Sequence, residues 1–103
     1  RLTDAYLRGR EPTKGFELIM DVRHPLREFD QEMLTYAAAS GREVHCLLSK
    51  SDKLSRNEGS ATLLAVRKHI ASVVPQATAQ LFSSLKKTGV DEARATIGSW
   101  LGY

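Results

Sequence analysis

Three short apolar runs, each stopped by turn formers and separated by helix-length segments, constrain this chain more than any other feature. The first is Gly15-Phe16-Glu17-Leu18-Ile19-Met20-Asp21. The second is Val44-His45-Cys46-Leu47-Leu48-Ser49. A third, weaker one covers 77–82. Runs of this length, without polar alternation, fit strands covered on both faces. Between the first two, Met33, Leu34, Ala37 and Ala38 mark the inner face of a helix over 30–40. Asp30 is the expected N-cap and Gly41 the expected stop. Ser55-Arg56-Asn57-Glu58 reads as a capping box, in which hydroxyl and carboxylate satisfy reciprocal orphan N–H groups. The helix it opens carries Leu63, Val66, Ile70 and Val73 at helical spacing and must end near Val74, because Pro75 follows. A further helix is expected over 1–10. A last one starts at Gly89, with Val90, Ala93, Ile97, Trp100 and Leu101 on one face and Trp100 in the core.

Helix and strand therefore alternate from end to end. Alternation with crossover helices predicts an α/β fold, parallel strands with helices on both faces. No repeat or linker divides the 103 residues, so 1–103 is expected to be part of a single domain. A hydrophobic fraction of 42% excludes a disordered chain. The single cysteine, Cys46, excludes an internal disulfide, and no CxxC or Cys/His cluster suggests a metal site. A reducing, cytoplasmic setting is expected. No apolar run is long enough for a transmembrane helix. The chain opens at Arg1 without a signal peptide and reads as a piece of something longer. The net charge of +3 permits an anionic partner and is equally good for solubility.

In parallel sheets, ligands sit at the carboxyl ends of the strands. That rule singles out the loops 21–26, 49–53 and 83–88. The second contains Ser49-Lys50-Ser51-Asp52, the [N/T/S]-K-x-D pattern with which GTPases recognise guanine. A carboxylate such as Asp52 accepts two hydrogen bonds, and guanine offers two adjacent donors, on N1 and N2. A site built on such an acceptor pair rejects a mismatched analogue by a factor on the order of 10⁴. The Lys50 stem can lie along the purine face while its ammonium stays wet. A solvated K-x-D turn is the competing reading. The third loop, Ser83-Ser84-Leu85-Lys86-Lys87, places Ser84 where a GTPase presents a backbone N–H to guanine O6.

With both loops at the correct strand ends, the chain resembles the C-terminal half of the EngB/YihA-type (YsxC) ribosome-biogenesis GTPases of the TRAFAC class. The resemblance rests on Leu18-Ile19-Met20-Asp21-Val22-Arg23-His24-Pro25-Leu26 and Asp30-Gln31-x-Met33. It continues through Leu47-Leu48-Ser49-Lys50-Ser51-Asp52-Lys53-Leu54, Phe82-Ser83-Ser84-Leu85-Lys86-Lys87-x-Gly89-Val90-Asp91 and Trp100. It implies a Ras-like P-loop GTPase domain that binds GTP or GDP with Mg²⁺ and acts in large ribosomal subunit assembly, in some bacteria also in cell division and septation. It implies guanine contacts from Ser49, Lys50, Asp52, Lys53, Ser83, Ser84 and Leu85. Arg23, His24, Lys86 and Lys87 become candidate ribosome contacts. The family has Thr where this chain has Ser49, and serine lacks the methyl group, so the rigidity of this loop is open.

No GxxxxGK[ST] and no D-x-x-G occurs in the sequence, so the phosphate cradle and metal ligands are expected outside this chain. On its own the chain is expected to bind the base weakly, to hold no Mg²⁺ and to hydrolyse nothing. An exposed sheet edge invites self-association. Two alternatives stand: part of a circularly permuted ribosome-assembly GTPase, or a small basic RNA- or protein-binding α/β module without nucleotide. His45 and Cys46, adjacent on one strand, point to opposite faces and cannot form a nucleophile pair. Asp21 reads as a structural turn residue. Arg67-Lys68-His69 reads as a solvated basic face.

Overall fold

The computed structural model describes residues 15–101; the helix expected over 1–10 lies outside them. The order is β1 (Gly15–Asp21), α1 (Glu28–Ser40), β2 (Glu43–Ser49), α2 (Arg56–Val73), β3 (Thr78–Leu81) and α3 (Val90–Leu101). The three strands form one parallel sheet in the order β1-β2-β3. Each step moves the chain one strand in the same direction. Right-handed crossovers then place α1 and α2 on the same face. The core lies there. Phe16, Leu18, Met20, Val44, Cys46, Leu48 and Ala79 meet Met33, Leu34 and Ala37 of α1, Val66 and Ile70 of α2, and Val74 just past its end.

The alternate residues of the strands face the other way, toward α3. There a partly buried polar chain crosses the sheet. His45 Nδ1 is 2.6 Å from Thr78 Oγ1, and its Nε2 is 2.6 Å from Gln80 Oε1. The Gln80 amide passes on to the Gly89 carbonyl at 2.7 Å. Each of these groups would be costly to bury unpaired. Ile19, on the same face, is 65% exposed, so the described helices cover this face only in part. Among the described residues β1 and β3 each pair on one side only, which leaves two open edges to this sheet.

Local chemistry sets most boundaries. Ser55 and Glu58 cap α2 as expected, with Glu58 N donating to Ser55 Oγ at 3.1 Å and Ser55 N donating to Glu58 Oε1 at 2.9 Å. Gly41 ends α1 in the left-handed region, φ 69°. Four details differ from the sequence reading. First, α1 begins at Glu28 rather than Asp30. Asp30 is the third residue of the first turn, buried, and accepts from the backbone N–H of Arg27 at 2.9 Å, so it satisfies an orphan donor without being the first residue. Second, Ala38 is exposed. Third, Gly89 precedes α3 in a left-handed turn, φ 78°, instead of opening it. Fourth, Trp100 is half-buried at the sheet rim rather than in the core. It lies over Gly15 and its indole N–H donates to Glu43 Oε1 at 3.0 Å.

Candidate functional site

The carboxyl ends of β2 and β3 converge on one cleft. Ser49, the last residue of β2, donates its hydroxyl to the Met20 carbonyl at 3.0 Å. That bond ties the loop to the end of β1, so the missing methyl group leaves Ser49 anchored. Lys50 then turns the chain through the left-handed region, φ 61° and ψ 35°. A non-glycine residue there is uncommon and marks a tightly specified turn. A single 3₁₀ turn, Ser51–Lys53, follows, closed by Lys53 N donating to the Lys50 carbonyl at 2.9 Å.

The loop after β3 docks onto this turn. Phe82 N donates to the Leu48 carbonyl at 2.9 Å, and Ser51 N donates to the Phe82 carbonyl at 3.1 Å. These bonds carry the parallel pairing past the strand ends. Ser83 is 1% exposed and joins the two loops. Its hydroxyl donates to Asp52 Oδ1 at 2.7 Å and accepts from the backbone N–H of Lys86 at 3.1 Å. The loop is closed at its base by two bonds between Ser83 and Thr88, 3.0 and 2.9 Å. Lys87 inside it is also left-handed, φ 57°.

The cleft has a volume of about 320 Å³ and is lined by Ser49, Lys50, Asp52, Lys53, Phe82, Ser84 and Leu85. A cavity of this size lies at the lower end of the range for small-molecule sites. Six of the seven residues expected at a guanine site line it. The seventh, Ser83, stands behind Asp52 and holds it. The Ser83 hydroxyl, more than any other group, pulls the Asp52 carboxyl below its ordinary 3.8. Asp52 is therefore a carboxylate near neutral pH. With two lone pairs on each oxygen, it keeps acceptor capacity beyond the bond to Ser83. The acceptor set, its ionised state and the adjoining lysine stem fit a purine that presents paired donors.

The other sequence candidates lie apart from the cleft lining. The Arg23 side chain is taken up by Asp21, with Nε and Nη2 donating at 3.0 and 2.9 Å. His24, Lys86 and Lys87 are exposed. Arg67 is not simply solvated: it donates Nε and Nη2 to the Ala79 carbonyl at 3.2 and 3.0 Å, clamping α2 to β3. His69 Nε2 lies 3.1 Å from Gln31 Oε1 on α1. Sequence reasoning did not count Phe82 among the site residues, although it adjoins the serine loop. Among the described residues no group of three His, Cys, Asp or Glu side chains could hold a metal ion. No described helix is long and apolar enough to cross a membrane.

A parallel sheet with a K-x-D turn after one strand, bridged by a serine loop after the next, has the α/β architecture of part of a Ras-like P-loop fold. The fold likeness extends to a translation elongation factor, SelB from Methanococcus maripaludis, at a TM-score of 0.74 and 15% identity, over 86% of this chain and 20% of that one. No family model matches the chain. Its sequence relatives are more informative. It is 50% identical over 101 residues to a probable GTP-binding protein EngB of Aromatoleum aromaticum, covering 98% of this chain and 47% of that protein. Proteins of the same description from Stenotrophomonas maltophilia and Neisseria gonorrhoeae are 48% and 54% identical over 96% and 92% of this chain, and 50% and 46% of theirs. The chain is thus similar to proteins described as EngB GTP-binding proteins and spans about half the length of these relatives.

Proposed function

We propose that this chain is the guanine-recognition part of a GTPase switch that acts in large ribosomal subunit assembly. The observation that carries the reading is the Asp52–Ser83 hydrogen bond, which joins the K-x-D turn and the serine loop across one cleft. In this reading Asp52 accepts from guanine N1 and N2, and the Lys50 stem lies along the purine face. Lys53 and Ser49 shape the turn, and Ser84 and Leu85 bring the second loop to O6. Ser83 orients Asp52. Phosphates and Mg²⁺ would be held by residues outside those described, and GTP hydrolysis belongs to the full-length protein. The ribosomal role follows the family resemblance and implies a cytoplasmic setting. For it, exposed Lys86, Lys87 and His24 are the candidate contacts. Arg23 is a weaker one, since Asp21 already holds its guanidinium.

The experiment is a displacement assay in the full-length protein with GDP, xanthosine diphosphate and ADP. Wild type should prefer GDP to ADP. Asp52→Asn should lose GDP affinity and gain xanthosine diphosphate affinity, because xanthine carries an acceptor at C2 where guanine carries a donor. Equal binding of GDP and ADP by wild type would overturn the reading. Binding that ignores all three nucleotides, and falls steeply with salt on RNA, would point to the basic binding module instead.

A further inference from the structure

The parallel register pairs Asp21, at the end of β1, with Ser49, at the end of β2. This brings a carboxylate beside the residue that follows Ser49. The Asp21 carboxylate is held by three donors from Arg23: the backbone N–H at 2.8 Å, Nε at 3.0 Å and Nη2 at 2.9 Å. A guanidinium fork and a backbone amide on one carboxylate fix its position and plane. The Lys50 ammonium lies 3.6 Å from Asp21 Oδ2. The left-handed backbone of Lys50 limits the directions in which its side chain can leave the turn. Lys50 shares the cleft with Asp52, and the two carboxylates of this region are differently engaged. Asp52 is bonded to Ser83, whereas Asp21 faces the ammonium.

We propose that Asp21, locked by Arg23, is a positioning residue for the guanine site. Its carboxylate tethers the Lys50 ammonium at the far side of the turn, so that the methylene stem lies across the cleft. The tether also keeps the ammonium away from Asp52, whose acceptors the base requires. This rests on the guanine reading above and adds a residue to it from a different strand. Asp21 never touches the base; it acts through Lys50.

The mechanism has a distinctive signature. The stem meets the face of a purine, and Asp52 reads its edge. Loss of the tether should weaken every purine nucleotide that Asp52 accepts, without changing the choice among them. In the full-length protein, a fluorescent GDP analogue is displaced by GDP, by inosine diphosphate (which lacks the N2 amino group) and by ADP. Asp21→Asn should weaken GDP and inosine diphosphate alike, roughly threefold to fivefold, the scale of an exposed ion pair. The ratio between them should stay at the wild-type value. Arg23→Gln should produce a smaller loss of the same kind, and Asp21→Glu should recover part of the affinity. In a Lys50→Met background Asp21→Asn should have no further effect, less than about 1.5-fold, since the residue it acts through is gone. A merely structural role would persist in that background. Persistence there, unchanged affinity in Asp21→Asn, or an altered ratio of GDP to inosine diphosphate would each overturn the positioning role while leaving guanine recognition standing. A wild-type protein that does not prefer GDP to ADP would overturn both.

Discussion

Gly89 and Gly41 both hold left-handed backbone, φ 78° and 69°, yet a methyl group at the two sites meets different surroundings. At Gly41 an added Cβ has nothing within 4 Å. At Gly89 it would overlap the Gln80 amide nitrogen and the Leu81 carbonyl oxygen. Forcing an alanine into the left-handed region costs about 1–2 kcal/mol at either site. The alanine also loses less chain entropy on folding, which offsets about 0.4–1 kcal/mol. Gly41→Ala should therefore destabilise by about 0–1.6 kcal/mol. At Gly89 the Gln80 amide must also move. Its 2.7 Å bond to the Gly89 carbonyl breaks, and a side chain only 1% exposed loses a partner. An unsatisfied buried group adds about 1–3 kcal/mol. The two variants should differ by that amount. With a urea slope of about 1–3 kcal/mol per molar, their midpoints should separate by on the order of 1 M. Trp100, the single tryptophan, provides the fluorescence readout. Gly89 adjoins Thr88, so exchange of the Ser83 and Thr88 amides, which close the serine loop, should accelerate in Gly89→Ala only. Equal midpoint losses in the two variants would refute the reasoning, because backbone strain alone would then account for both.

Two more predictions rest on ionisation. Asp52 and Asp21 both titrate below the ordinary 3.8, held down chiefly by the Ser83 hydroxyl and the Arg23 side chain respectively. A depressed folded value means that each contributes stability above pH 3.8 and loses it as the pH falls through the folded value. Ser83→Ala should move the Asp52 midpoint back up toward 3.8 in carboxyl-resolved NMR. An unmoved midpoint would deny Ser83 its role. Cys46 is fully buried, and burial pushes its thiol up to about 12. Its reaction with an aromatic disulfide at pH 8 should follow global unfolding and rise with urea in step with the Trp100 signal. Rapid labelling of the folded protein would contradict the packing around β2.

Much of the site is legible in the residues themselves because its parts are local. The K-x-D turn is contiguous, and so is the serine loop. Strand ends are visible as the places where apolar runs stop. The capping pair Ser55 and Glu58 lies within one helical turn, so its two bonds follow from spacing alone. The misplaced start of α1 has the same origin seen in reverse. Asp30 has the right chemistry for a helix N-terminus, but an aspartate serves equally well as the first residue or the third. Only the path of the loop before it selects between them.

What the sequence by itself determined is the alternation of strand and helix, hence a parallel sheet, and the identity of the two loops that flank the cleft. Those properties depend on periodicity and on neighbours in the chain. The tertiary structure alone decided which distant side chains meet. Ser83 reaches Asp52 only because the pairing of β3 with β2 continues past the strand ends, through Phe82 N to the Leu48 carbonyl and Ser51 N to the Phe82 carbonyl. Asp21 reaches Lys50 only because β1 and β2 pair in the register that sets Asp21 against Ser49. A slip of one residue in β1 would send the Asp21 carboxylate to the opposite face of the sheet. Trp100 rests at the rim for a similar reason. Its helix shows which face is apolar, but the proximity of Gly15 and Glu43 fixes where along the sheet that face comes down.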